Sequence, residues 1–335
     1  FTTIPCIMLD LDKNKEKMCN IALNKISGDW DRNKLKDILE ELDTGEFDIN
    51  ITGFGEQEIE DLMTEFYQEE PNDDVIPELP KEPESKLGDI YKLGDHKIMC
   101  GDATKKEDID KLMDGGRADL IFTDPPYNIG FSYNKYKDKL KYSEYKDFCR
   151  RFYEILDCPK IIITPGPRNL GMWYEIMNIK DIGWAKERLV DEEDEEIIYD
   201  EGLWYKKNAR SGASCFRLRL CEPIIFYGKF KEKRNYDIFE YTRVIKRELT
   251  EARKDAGATT IAPGKPVKFI VDILKSFSNR GNIIKDIFLG NGTTLIACEK
   301  INRICYGMEI DPIYCDVIIK RWEQYTNKKA VMING

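Results

Sequence analysis

Leu120-Ile121-Phe122-Thr123-Asp124-Pro125-Pro126-Tyr127-Asn128 is the stretch on which the reading of this chain turns. A short run of apolar and β-branched residues ends abruptly in a carboxylate and two prolines. That pattern reads as a buried strand followed by a rigid loop. Each proline fixes its backbone torsion and removes one N–H donor. The loop therefore offers acceptors, the Asp124 carboxylate and the Pro125 carbonyl, beside the ring of Tyr127. This suits a flat substrate that carries an NH₂ donor. Two prolines after a strand otherwise mark only a turn.

Outward from this loop, from about residue 88, short apolar runs alternate with amphipathic segments. The strands read as His96–Cys100, Leu120–Thr123, Lys160–Thr164, Pro223–Tyr227, Ile283–Phe288 and Ile304–Met308. The helices read as Lys105–Met113, Ser143–Leu156, Arg168–Asn178, Lys265–Phe277, Thr293–Ile301 and Pro312–Tyr325. Such alternation predicts an α/β fold with a mostly parallel sheet covered on both faces. Ligands of such sheets bind outside the carboxyl ends of the strands.

Three further motifs fall at such ends. Asp286-Ile287-Phe288-Leu289-Gly290-Asn291-Gly292-Thr293 closes one strand and opens a helix. Its glycines let backbone approach a ligand, and the helix N-terminus offers free N–H groups. Glu309 ends the next strand, where an acid can bind ribose hydroxyls. Cys100-Gly101-Asp102 follows the strand at 96–100; most Gly-Asp pairs are plain turns. A fourth element, Ala262-Pro263-Gly264-Lys265-Pro266, precedes a helix.

Bulk properties narrow the class. The 335 residues suggest two domains, or one with an appendage, and 41% hydrophobic residues suffice for a sizeable core. No apolar run nears the ~20 residues that span a bilayer, and no secretory signal is visible. Ten cysteines without a C-x-x-C pair read as buried reduced thiols. A single histidine, His96, argues against zinc and against Ser-His or Cys-His catalysis. The net charge of −10 is unevenly spread. An acidic block around Asp191–Glu196 gives way to Lys206, Lys207, Arg210, Arg217, Arg219, Lys229, Lys231, Lys233 and Arg234. These basic groups, interleaved with Trp204, Tyr205, Phe216 and Phe230, form either a solvated face or a track for a phosphate backbone.

Together, residues 87–330 resemble the S-adenosylmethionine-dependent amino-methyltransferases of DNA. The resemblance rests on Asp124-Pro125-Pro126-Tyr127, on the D-x-F-x-G-x-G form of 286–292, and on the retained Lys265-Pro266. Asn291 replaces a smaller residue common in that family, and the His that often precedes Lys-Pro is absent. The resemblance implies a Rossmann-like, mostly parallel seven-stranded sheet. It implies S-adenosylmethionine as cofactor, held by Asp102, Asp286, Phe288, Gly290, Gly292, Thr293, Glu309 and Lys265. Asp124, Pro125, Pro126 and Tyr127 are implied as the catalytic loop acting on a flipped-out base. The catalytic loop precedes the cofactor loop, the permuted order of the β class. The region between them, 203–262, is then the target-recognition region. Lys206, Lys207, Arg210, Arg217, Arg219, Lys231, Lys233 and Arg234 become the expected contacts to double-stranded DNA.

Asp in first place of the loop usually goes with adenine N6 in that family, and Ser with cytosine N4. Cytosine N4 stays the alternative, RNA a further one, and a non-catalytic ParB-like DNA-binding module the alternative of another class. Cytosine C5 chemistry needs a nucleophilic Cys after Pro in the loop, and none is there. The stretch Phe131–Tyr142 reads as a cover for the loop or as ordinary surface. The resemblance further implies a prokaryotic or phage-encoded cytoplasmic protein at the nucleoid, in a restriction–modification pair or as an orphan, with a homodimer open and neither membrane nor metal involved.

Ahead of this region, Ile4–Leu11 reads as a strand, and Asn14–Lys25 and Asp31–Leu42 as helices. Residues 4–65 resemble the tail of a ParB-like domain, so 1–68 is expected to be a mainly helical accessory unit. Residues 69–87, with four prolines and many acids, read as a linker that buries no apolar surface.

Overall fold

The computed structural model describes residues 11–25, 52–54, 73–130, 138–166, 168–177, 188–190, 196–206, 221–228, 238–241 and 264–333, with Leu35 and Ile38. The chain divides into two compact units, 1–70 and 71–335. In the first, α1 (Lys13–Lys25) buries Met18 and Ile21, three residues apart on one helix face. Asp12 begins it by accepting a hydrogen bond from the Lys15 amide at 2.8 Å. Of the second expected helix, only Leu35 and Ile38 are described, and both are helical. The strand read at 4–11 lies, apart from Leu11, outside the described residues.

The second unit is built on one sheet. Its strands are β1 (Ile90–Leu93), β2 (His96–Cys100), β3 (Leu120–Thr123), β4 (Lys160–Ile163), β5 (Arg188–Val190) and β6 (Glu196–Lys206). They continue as β7 (Cys221–Gly228), β8 (Ile238–Tyr241), β9 (Ile283–Asp286), β10 (Ile304–Glu309) and β11 (Val331–Met332). The helices are α2 (Lys106–Met113), α3 (Tyr142–Glu154), α4 (Leu170–Ile176), α5 (Val267–Phe277), α6 (Thr293–Lys300) and α7 (Pro312–Thr326). The spatial order is β11-β1-β2-β10-β9-β3-β4-β7-β6-β5, with β8 also on β6.

Five neighbouring strands, β2, β10, β9, β3 and β4, run parallel. Their apolar continuity follows from helices on both faces; all four residues of β3 are buried. The class is the one expected. The strand count differs: among the described residues the sheet has eleven strands where seven were implied, because β1 and β11 extend one edge and β5, β6 and β8 the other. The sequence reading passed over these five, which are short or lie in charged segments.

The strand order reverses direction between β3 and β9. The chain moves from β3 outward to β4, returns to β9, and then moves the other way to β10. This is a topological switch point, where a crevice opens at the carboxyl ends. Those ends carry, in spatial order, Gly101, Glu309, the 286–293 loop, Asp124 and Thr164.

The linker expectation fails for 73–87. Ile76 is buried against Tyr314 and Val317 of α7. Asp73 pairs with Lys300 at 2.7 Å, and its carbonyl accepts from Arg321 at 2.8 Å. Ser85 Oγ donates to Asp316. Prolines keep the segment extended, so it lies along the helices as a strap, and its acids are answered by buried cations.

Beneath β10, Glu299 ties α6 to the sheet and to α7. It accepts from His96 Nε2 and Trp322 Nε1, each at 2.8 Å. Burial alone raises its pKa, but these bonds and the neighbouring charges pull it down to about 2. A depressed carboxylate stabilises the fold above its unfolded pKa and loses that contribution as pH falls toward 2. Glu299→Gln should therefore cost about 1–3 kcal/mol at pH 7 and much less near pH 2. Denaturant melts of both proteins at the two pH values check this; equal losses at both would refute it.

Candidate active site

Asp124 follows fully buried β3, and its part-exposed carboxylate takes protein donors on its inner side. It finds three. Thr164 Oγ1, just past β4, donates to Oδ1 at 2.6 Å. Tyr127 Oη donates to the same oxygen at 2.7 Å. Lys265 Nζ lies 2.5 Å from Oδ2. The loop backbone is held equally firmly. Pro126 O accepts from Tyr145 Oη at 2.7 Å, and Tyr127 O from Asn169 Nδ2 at 3.0 Å. Asp138, buried, accepts from the Asn128 and Ile129 amides at 2.7 and 3.1 Å. Asn128 itself takes a left-handed φ of 56°, a conformation Asn tolerates better than most residues.

The ring of Tyr127 rests on Gly166, whose φ is +73°. A Cβ there would stand 2.6 Å from Tyr127 Cγ. Burial, then the charges of Asp124 and Glu222, push the phenol well above its usual pKa, so it stays a hydroxyl. Tyr127 Oη also lies 3.3 Å from Glu222 Oε2 and accepts from Lys265 Nζ at 2.9 Å.

The glycine loop lies across the switch point. Asp286, 2% exposed, accepts from the Phe288 amide at 3.1 Å, Thr294 Oγ1 at 2.7 Å and Thr123 Oγ1 at 3.3 Å. Its pKa is raised to about 6, because burial outweighs those bonds. It staples the loop from beneath. Glu309 joins this loop to the turn before α7, accepting from the Gly290 and Asp311 amides, both at 2.9 Å. Burial pushes it up to about 7. Asn291 and Thr293 are bonded to each other at 2.7 Å and both reach Arg321. Gly292, at φ +83°, packs on Ile318 so closely that a Cβ would meet it at 3.2 Å. Phe288 stacks edge-on to Phe152, 4.8 Å between centroids.

These pieces line one cavity: Asp102, Asp124, Pro126, Lys265, Asp286, Phe288, Gly290, Thr293, Glu309 and Asp311 all face it. Asp102 fixes its own turn by accepting from the Thr104 amide at 2.9 Å. Asp311 caps α7 with one oxygen, while Oδ2, buried, has no hydrogen-bond partner. Among the described residues, no cluster of His, Cys, Asp and Glu is arranged to hold a metal ion.

The structure thus brings the expected catalytic and cofactor residues together. Lys265 lines the same cavity and also reaches the catalytic loop, lying just before Pro266 at the start of α5. Thr164, Glu222, Asn169, Tyr145, Asp138 and Asp311 were missed. All but Asp311 are separated in sequence from the partner they serve, with no local motif to mark them. Asp311 bonds to the Ile313 amide and caps α7, and an Asp-Pro helix start is its local signal. Of the basic residues, Lys206 ends β6; Lys207, Arg210, Arg217, Arg219, Lys231, Lys233 and Arg234 lie outside the described residues. So do 131–137 of the stretch read as a cover.

Comparison with known proteins adds the following. A family model described as a DNA methylase, for N6 and N4 methyltransferases, matches residues 118–321. A model for the ParB-methyltransferase HTH domain matches 33–87, which includes the strap. The type II methyltransferase M.HpaI of Haemophilus parainfluenzae is 23% identical over 252 residues, 70% of this chain and 76% of the relative. The orphan methyltransferase M.BamHII of Bacillus amyloliquefaciens is 40% identical over 60 residues, 18% of this chain and 23% of the relative. The M1.HpyAVI–SAM complex is 18% identical with a TM-score of 0.45, covering 67% of this chain and 97% of that one. PvuII DNA methyltransferase (cytosine-N4-specific) is 14% identical with a TM-score of 0.45, covering 75% and 94%.

Gly166→Ala should displace the Tyr127 ring and force a non-glycine residue into a left-handed backbone, costing about 1–3 kcal/mol. The contact network of the 286–293 loop does not touch Gly166. A melting curve together with the crystal structure of the variant checks this; an unmoved Tyr127 would contradict it.

Proposed function

The chain belongs to the N6/N4 DNA methylase family, and from that premise we propose that it transfers a methyl group from S-adenosylmethionine to the N6 amine of adenine in double-stranded DNA. The transfer to an exocyclic amine of DNA, adenine N6 or cytosine N4, comes with the family. The choice of adenine rests on Asp124 in the first place of its loop. The observation that carries the reading is the single cavity in which the Asp124 loop meets the Gly290 loop and Glu309.

The cavity suits the cofactor. Its donor-poor wall of carboxylates, Asp102, Glu309 and Asp311, matches a ligand with ribose hydroxyls and a cationic amine. Asp311 Oδ2 is a buried acceptor still open to such a donor. Phe288 offers an apolar wall, and the glycine loop lets backbone come close. When bound, the cofactor supplies an electrophilic methyl group.

The chain's own residues do the rest. An adenine amine is a weak nucleophile, since its lone pair is delocalised into the ring. Asp124 and the Pro125 carbonyl accept its hydrogens, orient the nitrogen and offset the positive charge that forms there. Tyr127 provides a face for the base, whose extrusion from the duplex costs roughly a few kcal/mol. The basic residues of 203–262 and the 33–87 segment supply the DNA contacts.

Asp124→Ala should reduce label transfer from S-[methyl-³H]adenosylmethionine to DNA by at least about a thousandfold. Cofactor affinity should stay within a few-fold. Nucleoside mass spectrometry of the product should show N6-methyl-2′-deoxyadenosine. An N4-methyl-2′-deoxycytidine peak alone would move the target to cytosine, and an active Asp124→Ala variant would remove the acceptor role.

A further inference from the structure

Among the described residues, three charged groups meet at the Tyr127 hydroxyl. The hydroxyl lies 2.7 Å from Asp124 Oδ1, 3.3 Å from Glu222 Oε2 and 2.9 Å from Lys265 Nζ. Lys265 also lies 2.5 Å from Asp124 Oδ2. Glu222 is 8% exposed and Lys265 7%, so water screens neither well.

This arrangement raises a charge problem. The amine turns cationic as the methyl arrives, and Asp124 is the group that offsets it. Yet Lys265 brings a full positive charge onto the same carboxylate. The Asp124–Lys265 pair has a formal charge of zero. An ammonium this close to a developing cation opposes the reaction unless another negative charge answers it. Glu222 brings such a charge to the Tyr127 hydroxyl: taken by themselves, Asp124, Lys265 and Glu222 sum to −1.

The fold explains how Glu222 gets there. β7 runs antiparallel to β4, with Ile163 opposite Ile225. Three residues before Ile225, Glu222 therefore reaches past the end of β4, on the catalytic side of the sheet. Its own partner on β6 is Trp204.

We propose that Glu222 is a positioning residue of the transfer reaction. It holds the Tyr127 hydroxyl and restores the net negative charge that Lys265 cancels at the amine-docking carboxylate. The proposal rests on the amine-methylation reading above. It assigns Lys265 to the catalytic cluster and gives that lysine a dependent partner in β7.

The test is a charge-swap cycle in the full-length protein: Glu222→Gln, Glu222→Asp, and Glu222→Gln combined with Lys265→Met. The readouts are the single-turnover rate of methyl transfer to unmethylated DNA, cofactor affinity by fluorescence titration, and melting temperature. Removing a unit charge a few ångströms from a half-formed cation slows the step about tenfold or more. Glu222→Gln should show that loss with cofactor affinity within about threefold of wild type. Glu222→Asp, which keeps the charge, should retain most of the rate. The double variant, again at −1, should be faster than Glu222→Gln alone, a sign that a purely structural role does not produce. A Glu222→Gln variant at the wild-type rate, an aspartate no better than the glutamine, or a folded double variant no faster than the single, overturns the proposal. Failure of the wild type to label DNA overturns the amine-transfer reading first, and this inference with it.

Discussion

A carboxylate at the end of a fully buried strand is the constraint around which this site is built. The Asp124 side chain is 34% exposed, so water reaches one side of it and the protein supplies donors on the other. Thr164, Tyr127 and Lys265 are those donors, and each is delivered by a different element: the end of β4, the loop itself, and the start of α5. Satisfying one charge thus fixes the relative positions of three chain segments. The same solution recurs across the switch point. Asp286 and Glu309 are each tied by backbone amides and hydroxyls of their neighbours. The crevice is therefore lined with carboxylates that the protein holds rigid through its own donors.

How far the sequence alone reaches depends on the range of the interaction. Strands β2 and β3 are read to the residue: β3 is a fully buried run with sharp ends, and β2 carries its apolar residues in its last three positions before Gly101. Helix ends shift by up to two residues, where capping and proline decide. The Asp124 and Gly290 loops are legible because a motif concentrates their chemistry into a few adjacent positions. Glu222 is not: in the sequence it merely interrupts a basic stretch. Only the antiparallel pairing of β7 with β4 places it beside Tyr127. Thr164 was hidden for the same reason, since what selects it is a partner far along the chain; Asp311 instead carries a local sign, an Asp-Pro helix start.

The strap at 73–87 shows composition misleading for a definable reason. Prolines and acids usually keep a segment in solvent, because it has too little apolar surface to offset ordering. Here very little is needed. Prolines have already removed much of the chain entropy, so Ile76 with Leu79, the Asp73–Lys300 pair and a few hydrogen bonds suffice. Lys300 and Arg321 supply the cations, and Arg321 carries the link inward to Asn291 and Thr293. The strap and the glycine loop share one buried guanidinium.

That shared arginine changes how the departures from the family's usual pattern look. Asn291, larger than the residue common at its place, is held by Arg321 through both its carbonyl and its side chain. Lys265 stands without the histidine that often precedes it, and it contacts Asp124 and Tyr127. In both cases a residue that seemed an exception acquires a polar partner close by. A cationic side chain near a site that must stabilise a cation is tolerable only when its charge is answered. Arg321 has the Asp73 carbonyl and the charges of Asp73 and Asp74 nearby. Lys265 has Asp124, which the reaction itself needs, and so requires a second carboxylate. The position of Glu222 follows from that requirement.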